Sequence, residues 1–258
     1  MPETLQPDIQ LHNTEALSFM RSMPTGCIDA VICDPPYSSG GMVRSDRTNP
    51  TSTKYSSNGS AMATASFNFS GDNRDQRGFL AWCSMWMSEA LRCTKPGGML
   101  ATFTDWRQLP VMTDAIQAGG WVWRGIIPWV KPNARPQLGR FTNQCEYVLW
   151  ASAGALPTYH KGQARTYRGA IEGIRPPATR VRIHPTEKPV AVMEHLMAPI
   201  PSGGIIFDPF MGSGSTAIAA INTGHRFIGC EMNENYFSKA TTRISQAANQ
   251  HTLDAGNA

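Results

Sequence analysis

The stretch that most restricts the fold of this chain runs from Gly204 to Glu231. It reads as a strand over Gly204–Phe207, then Asp208-Pro209-Phe210-Met211-Gly212-Ser213-Gly214-Ser215-Thr216. An Ala-rich helix begins near Ser215, and a second strand over His225–Cys230 ends at Glu231. Strand, Gly-x-Gly turn, helix, strand and acid form the crossover of a doubly wound α/β sheet that holds a nucleotide-like ligand. Gly212 and Gly214 permit a tight turn and close backbone approach. Glu231, seventeen residues past Gly214, can accept both hydroxyls of a ribose. The Gly-Lys-Ser/Thr of a phosphate loop is missing. Taken alone, the turn also suits a dinucleotide site or a plain glycine-rich bend.

A second strand end carries different chemistry. Ile28–Cys33 is short, apolar and β-branched, and reads as a buried strand. Pro35 and Pro36 must end it, because neither has an N–H and each pushes its predecessor out of the helical region. The turn Asp34-Pro35-Pro36-Tyr37 thus sits at the carboxyl end of a strand, where open α/β sheets place ligands. It offers a carboxylate, a backbone carbonyl stiffened by proline rings, and an aromatic face. An exocyclic amine could donate to the two oxygens while its ring stacks on Tyr37. A Pro-Pro turn with a surface tyrosine is the plain alternative.

The 258 residues, 41% hydrophobic, suffice for one large α/β domain with an insertion, or for two small domains. No run of 18 apolar residues suggests a membrane span. Met1 to Gln10 lack the basic and apolar regions of a signal peptide, and a cytoplasmic protein is expected. Cysteines 27, 33, 83, 93, 145 and 230 show no zinc spacing and are expected to be reduced, so no metal is expected. Charge is uneven. Lys131 to Lys188 holds ten basic and three acidic residues, a local +7 within a net +4. Such a segment is the electrostatic footprint of a polyanion partner, or else a solvated Arg-rich loop.

The remaining chain reads as alternating elements. Ile9 and Leu11 begin a strand, and Thr14 is placed to cap a helix with Ala16, Leu17 and Met20 on its apolar side. Residues 38–77 form a long polar stretch, either a mobile substrate-gripping loop or a disordered insertion. Phe79–Cys93 has helical periodicity, Lys95–Gly98 reads as a turn and Met99–Thr104 as a strand. A helix over Gln108–Gln117, strands over Trp121–Val130 and Cys145–Ala151, and an irregular stretch over 152–183 follow. Pro189–Pro199 reads as a helix with Pro189 in its first turn, and Asn235–Ala248 as the last helix before a loose tail.

With His184-Pro185-Thr186-Glu187-Lys188-Pro189 and Phe227-Ile228-Gly229-Cys230-Glu231 beside the two turns, the chain resembles the S-adenosylmethionine-dependent DNA amino-methyltransferases. The order of motifs, catalytic turn first and donor turn last, is similar to the β class. The resemblance runs from about Ile9 to Ala248 and leaves 38–77 and 152–183 unmatched. It implies a doubly wound, seven-stranded, mostly parallel α/β sheet with an antiparallel hairpin, for which Trp121–Ala151 is the candidate. Residues 1–151 and 184–258 would form the catalytic domain, 152–183 a small irregular target-recognition insertion, and 38–77 a mobile DNA-contacting loop.

The implied activity is methylation of the N6 amine of a flipped-out adenine in duplex DNA, with Asp34, Pro35, Pro36 and Tyr37 catalytic. For the S-adenosylmethionine site the resemblance implies Phe210, Gly212, Ser213 and Gly214 against the methionine portion, with Ser215 and Thr216 following. Glu231 and Met232 lie on the ribose side, Asp208 is a candidate for the ammonium group, and Thr186, Lys188 and Asp34 lie beside the donor. Lys131, Arg135, Arg140, Arg165, Arg168, Arg175 and Arg180 are the candidate DNA-binding residues. A homodimer is expected by analogy alone. Cytosine-N4 methylation needs the same geometry, although Ser in place of Asp34 is the commoner form there. An NAD-dependent oxidoreductase would leave Asp34–Tyr37 and the basic segment unused, and a non-catalytic DNA-binding module would leave the donor turn unused. Ring-carbon methylation through a cysteine is disfavoured because its Pro-Cys dipeptide is absent.

Overall fold

The computed structural model describes residues 3–6, 8–37, 74–132, 134, 136, 138–157, 165–175 and 187–256, with 3–6 and 253–256 as backbone only. Most of the loop expected over 38–77, parts of the insertion, Arg135, Arg180 and Thr186 lie outside the described residues.

The elements run β1 (Glu3–Gln6), β2 (Ile9–His12), α1 (Ala16–Ser22), β3 (Ile28–Cys33), α2 (Gln76–Cys93), β4 (Thr94–Thr104) and α3 (Leu109–Ala118). They continue with β5 (Val122–Val130), β6 (Cys145–Ser152), α4 (Val190–Met197), β7 (Ile205–Asp208), α5 (Ser215–Asn222), β8 (Arg226–Cys230) and α6 (Glu234–Gly256). One sheet has the order β1-β2-β8-β7-β3-β4-β6-β5. From β2 to β4 the neighbours are parallel, and β6 pairs antiparallel with both β4 and β5. That is the seven-stranded, mostly parallel sheet with its hairpin. An eighth strand, β1, adds antiparallel at the β2 edge. The sequence did not announce it, because Glu3-Thr4-Leu5-Gln6 has one large apolar residue and no alternation.

Strand alternation sends side chains to two cores. Ala30 and Ile32 of β3, Phe103 of β4 and Ile206 of β7 pack under α4, α5 and α6, through Val192, Leu196, Ala217 and Ile244 among others. Val31, Cys33, Leu100 and Phe207 face α1, α2 and α3, through Met20, Trp86, Met87 and Met112. Burying both sheet faces accounts for the near-continuous apolar run of β3.

Several boundaries differ from the sequence reading. Glu15, not Thr14, caps α1, its carboxylate accepting from Leu17 N at 3.0 Å and Ser18 N at 2.8 Å. Lys95–Gly98 lies inside β4 as a bulge rather than a turn, since Ile28 pairs with Thr94 and Ala30 with Met99. Gly98 is needed there, because a Cβ would stand 2.7 Å from the Asp29 carbonyl. Pro189 caps α4 instead of entering it. The expected loose tail is helical to Gly256, no proline or glycine interrupting α6 before that residue.

Between β7 and β3 the chain order reverses, one half of the sheet growing toward β8 and the other toward β4. Asp208 ends β7 and Asp34 follows β3, so both turns open on the switch point, the place where such sheets bind ligands.

Candidate active site

At this switch point lies a cavity of about 290 Å³. Asp34, Pro35, Pro36 and Tyr37 form one wall, Asp208 to Ser213 with Ser215 and Thr216 a second, and Glu231 and Met232 a third. Lys188 also reaches it. Residues more than 150 apart in sequence thus share one space because β3 and β7 are sheet neighbours.

The glycine turn is held by Asp208. Its Oδ1 accepts from Phe210 N at 2.9 Å, and its Oδ2 from Thr216 Oγ1 at 2.6 Å. Burial pushes the Asp208 carboxyl up to about 7 against these hydrogen bonds, with Asp34 and Glu231 adding to the rise. Gly214 stands at φ +81°, and a Cβ there would meet Ile244 at 2.7 Å, so the turn closes tightly on α6. Glu231 accepts from Gly212 N at 3.2 Å and Asn233 N at 2.7 Å. Burial raises its carboxyl despite these amides.

On the other wall, the Tyr37 hydroxyl donates to Asp34 Oδ1. Lys188 Nζ, only 5% exposed, lies 2.6 Å from Asp34 Oδ2 and 3.2 Å from Glu146 Oε2. Lys131 Nζ reaches the other Glu146 oxygen at 2.9 Å. Burial raises the Asp34 carboxyl, and the Lys188 ammonium and Tyr37 hydroxyl only partly offset it. Burial alone would lower Lys188, but Asp34 and Glu146 outweigh it and hold the ammonium above its ordinary value. Glu146 is held below its ordinary value because Lys188 and Lys131 outweigh its burial.

The sequence reading missed four contributors. Glu146, from β6, was legible only as an acid at the mouth of an otherwise apolar strand. Arg243, on α6, gave no local signal. Its guanidinium donates to the Ser213 carbonyl at 2.9 Å and pairs with Glu187 at 2.9 Å, tying the glycine turn to the segment before α4. Trp82 and Trp86 of α2, which periodicity places in the core, pack their rings 5.5 and 5.3 Å from Phe210. Trp82 also lines the cavity, with the Arg74 guanidinium 4.3 Å above its ring.

Of the basic residues, Lys131 is drawn into its pair with Glu146, whereas Arg140, Arg165, Arg168 and Arg175 are exposed. The segment around Ile171 is fastened to the sheet: Ile171 N donates to Pro128 O at 2.9 Å, its carbonyl accepts from Val130 N at 2.8 Å, and Trp129 Nε1 donates to Ile174 O at 3.0 Å. The loop between β5 and β6 emerges at the Lys131–Glu146 pair and shows Leu138 and Phe141 fully to solvent, next to Arg140. Among the described residues, no cluster of side chains could hold a metal ion, and no helix is long and apolar enough to cross a membrane.

The cavity suits an adenosine-type sulfonium ligand. It combines a tight glycine turn, a carboxylate at the end of the next strand, and apolar walls at Phe210 and Met211. Comparison with known proteins agrees. The chain is 26% identical over 254 residues to the type II methyltransferase M2.DpnII of Streptococcus pneumoniae, covering 91% of this chain and 88% of that protein. Its fold is similar to the crystal structure of the M1.HpyAVI–SAM complex, with TM-score 0.63 and 25% identity over 92% of this chain and 98% of the other. It is also similar to the cytosine-N4-specific PvuII DNA methyltransferase, with TM-score 0.67 and 14% identity over 95% and 93% of the two chains. The N6/N4 DNA methylase model matches residues 28–242, and the chain belongs to that DNA methylase family.

Proposed function

We propose that this DNA methyltransferase transfers a methyl group from S-adenosylmethionine to the N6 amine of an adenine flipped out of duplex DNA. The observation that carries the reading is the shared cavity, in which the Asp34 carboxylate faces the same space as the glycine turn and Glu231. An amine inside a duplex cannot reach such a pocket, so the base must leave the stack. When bound, S-adenosylmethionine supplies an electrophilic methyl group whose bond to sulfur breaks with its electron pair left on sulfur. The protein aligns the nucleophile. Asp34 and the Pro35 carbonyl accept the amine hydrogens, which favours pyramidal nitrogen and aims its lone pair at the methyl carbon. As the N–C bond forms, the surplus amine proton leaves by way of Asp34. Tyr37 leaves the Asp34 carboxylate to stack on the flipped ring, a contact worth ~1–3 kcal/mol. Positioning of the two reactants supplies much of the rate.

Glu231 takes the ribose hydroxyls, the backbone of Phe210–Gly214 the methionine portion, and Asp208 the ammonium end. Duplex DNA lies across the β5–β6 loop and the 165–175 segment, whose exposed arginines suit phosphates. Leu138 and Phe141 suit an apolar contact with a base step opened by flipping.

Adenine is favoured by Asp34 at the head of the turn. The second reading, cytosine N4, is supported by the PvuII likeness, which speaks for the fold alone. The test is incubation of the full chain with tritiated methyl donor and DNA from an unmethylated host, followed by acid hydrolysis and chromatography. Label in N6-methyladenine is the expected result. Label in N4-methylcytosine selects the second reading, and DNA binding without label removes both.

A further inference from the structure

Four charges alternate in sign along a line that ends at the reacting carboxylate. Lys131 Nζ is 2.9 Å from Glu146 Oε1, Glu146 Oε2 is 3.2 Å from Lys188 Nζ, and Lys188 Nζ is 2.6 Å from Asp34 Oδ2. They come from the end of β5, the start of β6, the residue before Pro189 and the end of β3. Lys188 is directed at the oxygen that the proposed chemistry needs. An ammonium donates more strongly than an aryl amine, so a lysine held by Asp34 alone would compete with the target for the same lone pairs. Glu146 Oε2 is buried and takes the longer of the ammonium's two carboxylate contacts, 3.2 Å against 2.6 Å at Asp34 Oδ2. A buried carboxylate oxygen with only a long contact to a strong donor gains when that donor moves closer. A small rotation of the Lys188 side chain would move its hydrogen bond from Asp34 to Glu146 without unpairing the charge.

We propose that Glu146 is a positioning residue for methyl transfer, the alternative acceptor that takes the Lys188 ammonium when the target amine occupies Asp34. The proposal rests on the amino-methyltransferase reading above. With Lys188 on Asp34, the carboxylate stays ionised in a buried site while no substrate is bound. With Lys188 on Glu146, Asp34 Oδ2 is free for the amine and is more basic. Lys131 balances Glu146, so the ammonium is shared rather than captured.

Asp34 has other titratable neighbours: Tyr37 and Cys33 on its own segment and Asp208 at the end of β7, with Asp105 beyond Tyr37 and Glu231 beyond Asp208. Substitution at Glu146 or Lys131 leaves all of these in place, so a change in the pH profile reports the row itself. The Glu146 charge raises the Asp34 proton affinity, so removing it lowers that affinity; by the same Coulomb rule, removing the positive charge of Lys131 raises it.

The experiment measures kcat against pH for the full chain, with methyl donor and DNA from an unmethylated host, for wild type, Glu146→Gln and Lys131→Met. Donor affinity of each protein is measured by calorimetry. For Glu146→Gln the expected result is a kcat lower by about tenfold, an acidic limb moved to lower pH, and unchanged donor affinity. For Lys131→Met the acidic limb moves to higher pH. A Glu146→Gln protein with wild-type kcat and limb overturns the proposal. So do limbs that move the same way in both variants, or a kcat loss matched by lost donor binding. If Glu146→Gln does not fold, Lys131→Met decides alone: an upward limb supports the proposal and an unmoved limb overturns it. A wild-type protein that binds the donor but methylates no amino group in DNA overturns the underlying reading instead.

Discussion

Thr216 Oγ1 donates a 2.6 Å hydrogen bond to Asp208 Oδ2, joining the first turn of α5 to the end of β7 across the whole glycine turn. The bond is buried, and the carboxyl it reaches sits at about 7 because burial disfavours its charge. The folded chain therefore holds this proton more tightly than the unfolded chain. The resulting stabilisation is complete below the ordinary value of 3.8 and is lost as pH rises through about 7. Asp208→Asn should remove this dependence, making the variant the more stable of the two above pH 7. The gap is bounded by about 4 kcal/mol, the free-energy equivalent of the displaced pKa. Urea unfolding of both proteins at mildly acidic and mildly alkaline pH checks this, and parallel pH dependences would contradict it.

Glu231 holds two backbone amides, of Gly212 and Asn233, and presents its carboxylate to the cavity. Glu231→Ala should weaken S-adenosylmethionine binding by ~1.5–3 kcal/mol, the scale of hydrogen bonds to a charged group. Titration calorimetry reads this directly. Unchanged affinity would place the ribose elsewhere.

Asp34→Ala should abolish methyl transfer while leaving donor affinity largely intact, since in the proposed reaction the carboxylate acts on the amine and the glycine turn is built from other residues. Lys188 keeps Glu146 as a partner in the variant, so the buried ammonium is not stranded. The loss should reach ~10²–10⁴ in kcat. Near-normal turnover under single-turnover conditions would remove Asp34 from the chemistry.

Arg165, Arg168 and Arg175 are exposed on a segment pinned to β5, and Arg180 follows in the same basic stretch. Replacing all four by alanine should leave donor binding unchanged and cripple DNA methylation. Each arginine that contacts a phosphate should lower the salt slope of DNA binding by about one unit. A base-reading arginine should cost ~1–3 kcal/mol at the cognate site only. A folded quadruple variant that methylates normally in moderate salt would move the recognition surface away from this insertion.

Much of this architecture was legible because the sheet writes itself in local signals. β3 could be bounded to the residue, since its apolar run is closed by two prolines. The glycine turn was legible because its glycines, acid and flanking strands fall within thirty residues. Harder to read were features set by distant partners. Lys95–Gly98 has the composition of a turn, yet pairing with β3 keeps it in the sheet. Lys188 gave no sign that its ammonium would lie between Asp34 and Glu146, because those carboxylates come from two other strands. Arg243 looks like any exposed helical arginine until α6 is laid against the glycine turn.

The row from Lys131 to Asp34, part-buried at one end and buried at Lys188, also separates two responses to ionic strength. Mobile ions screen exposed charges over about 10 Å at 0.1 M, but reach charges inside the protein far less. Lys188 and Asp34 sit where counterions hardly enter, whereas Arg165, Arg168 and Arg175 stand in open solvent. Encounter with the polyanion should therefore slow as salt is added, while the rate of the bound complex stays nearly constant. Two substrates of one enzyme would then sense quite different electrolytes.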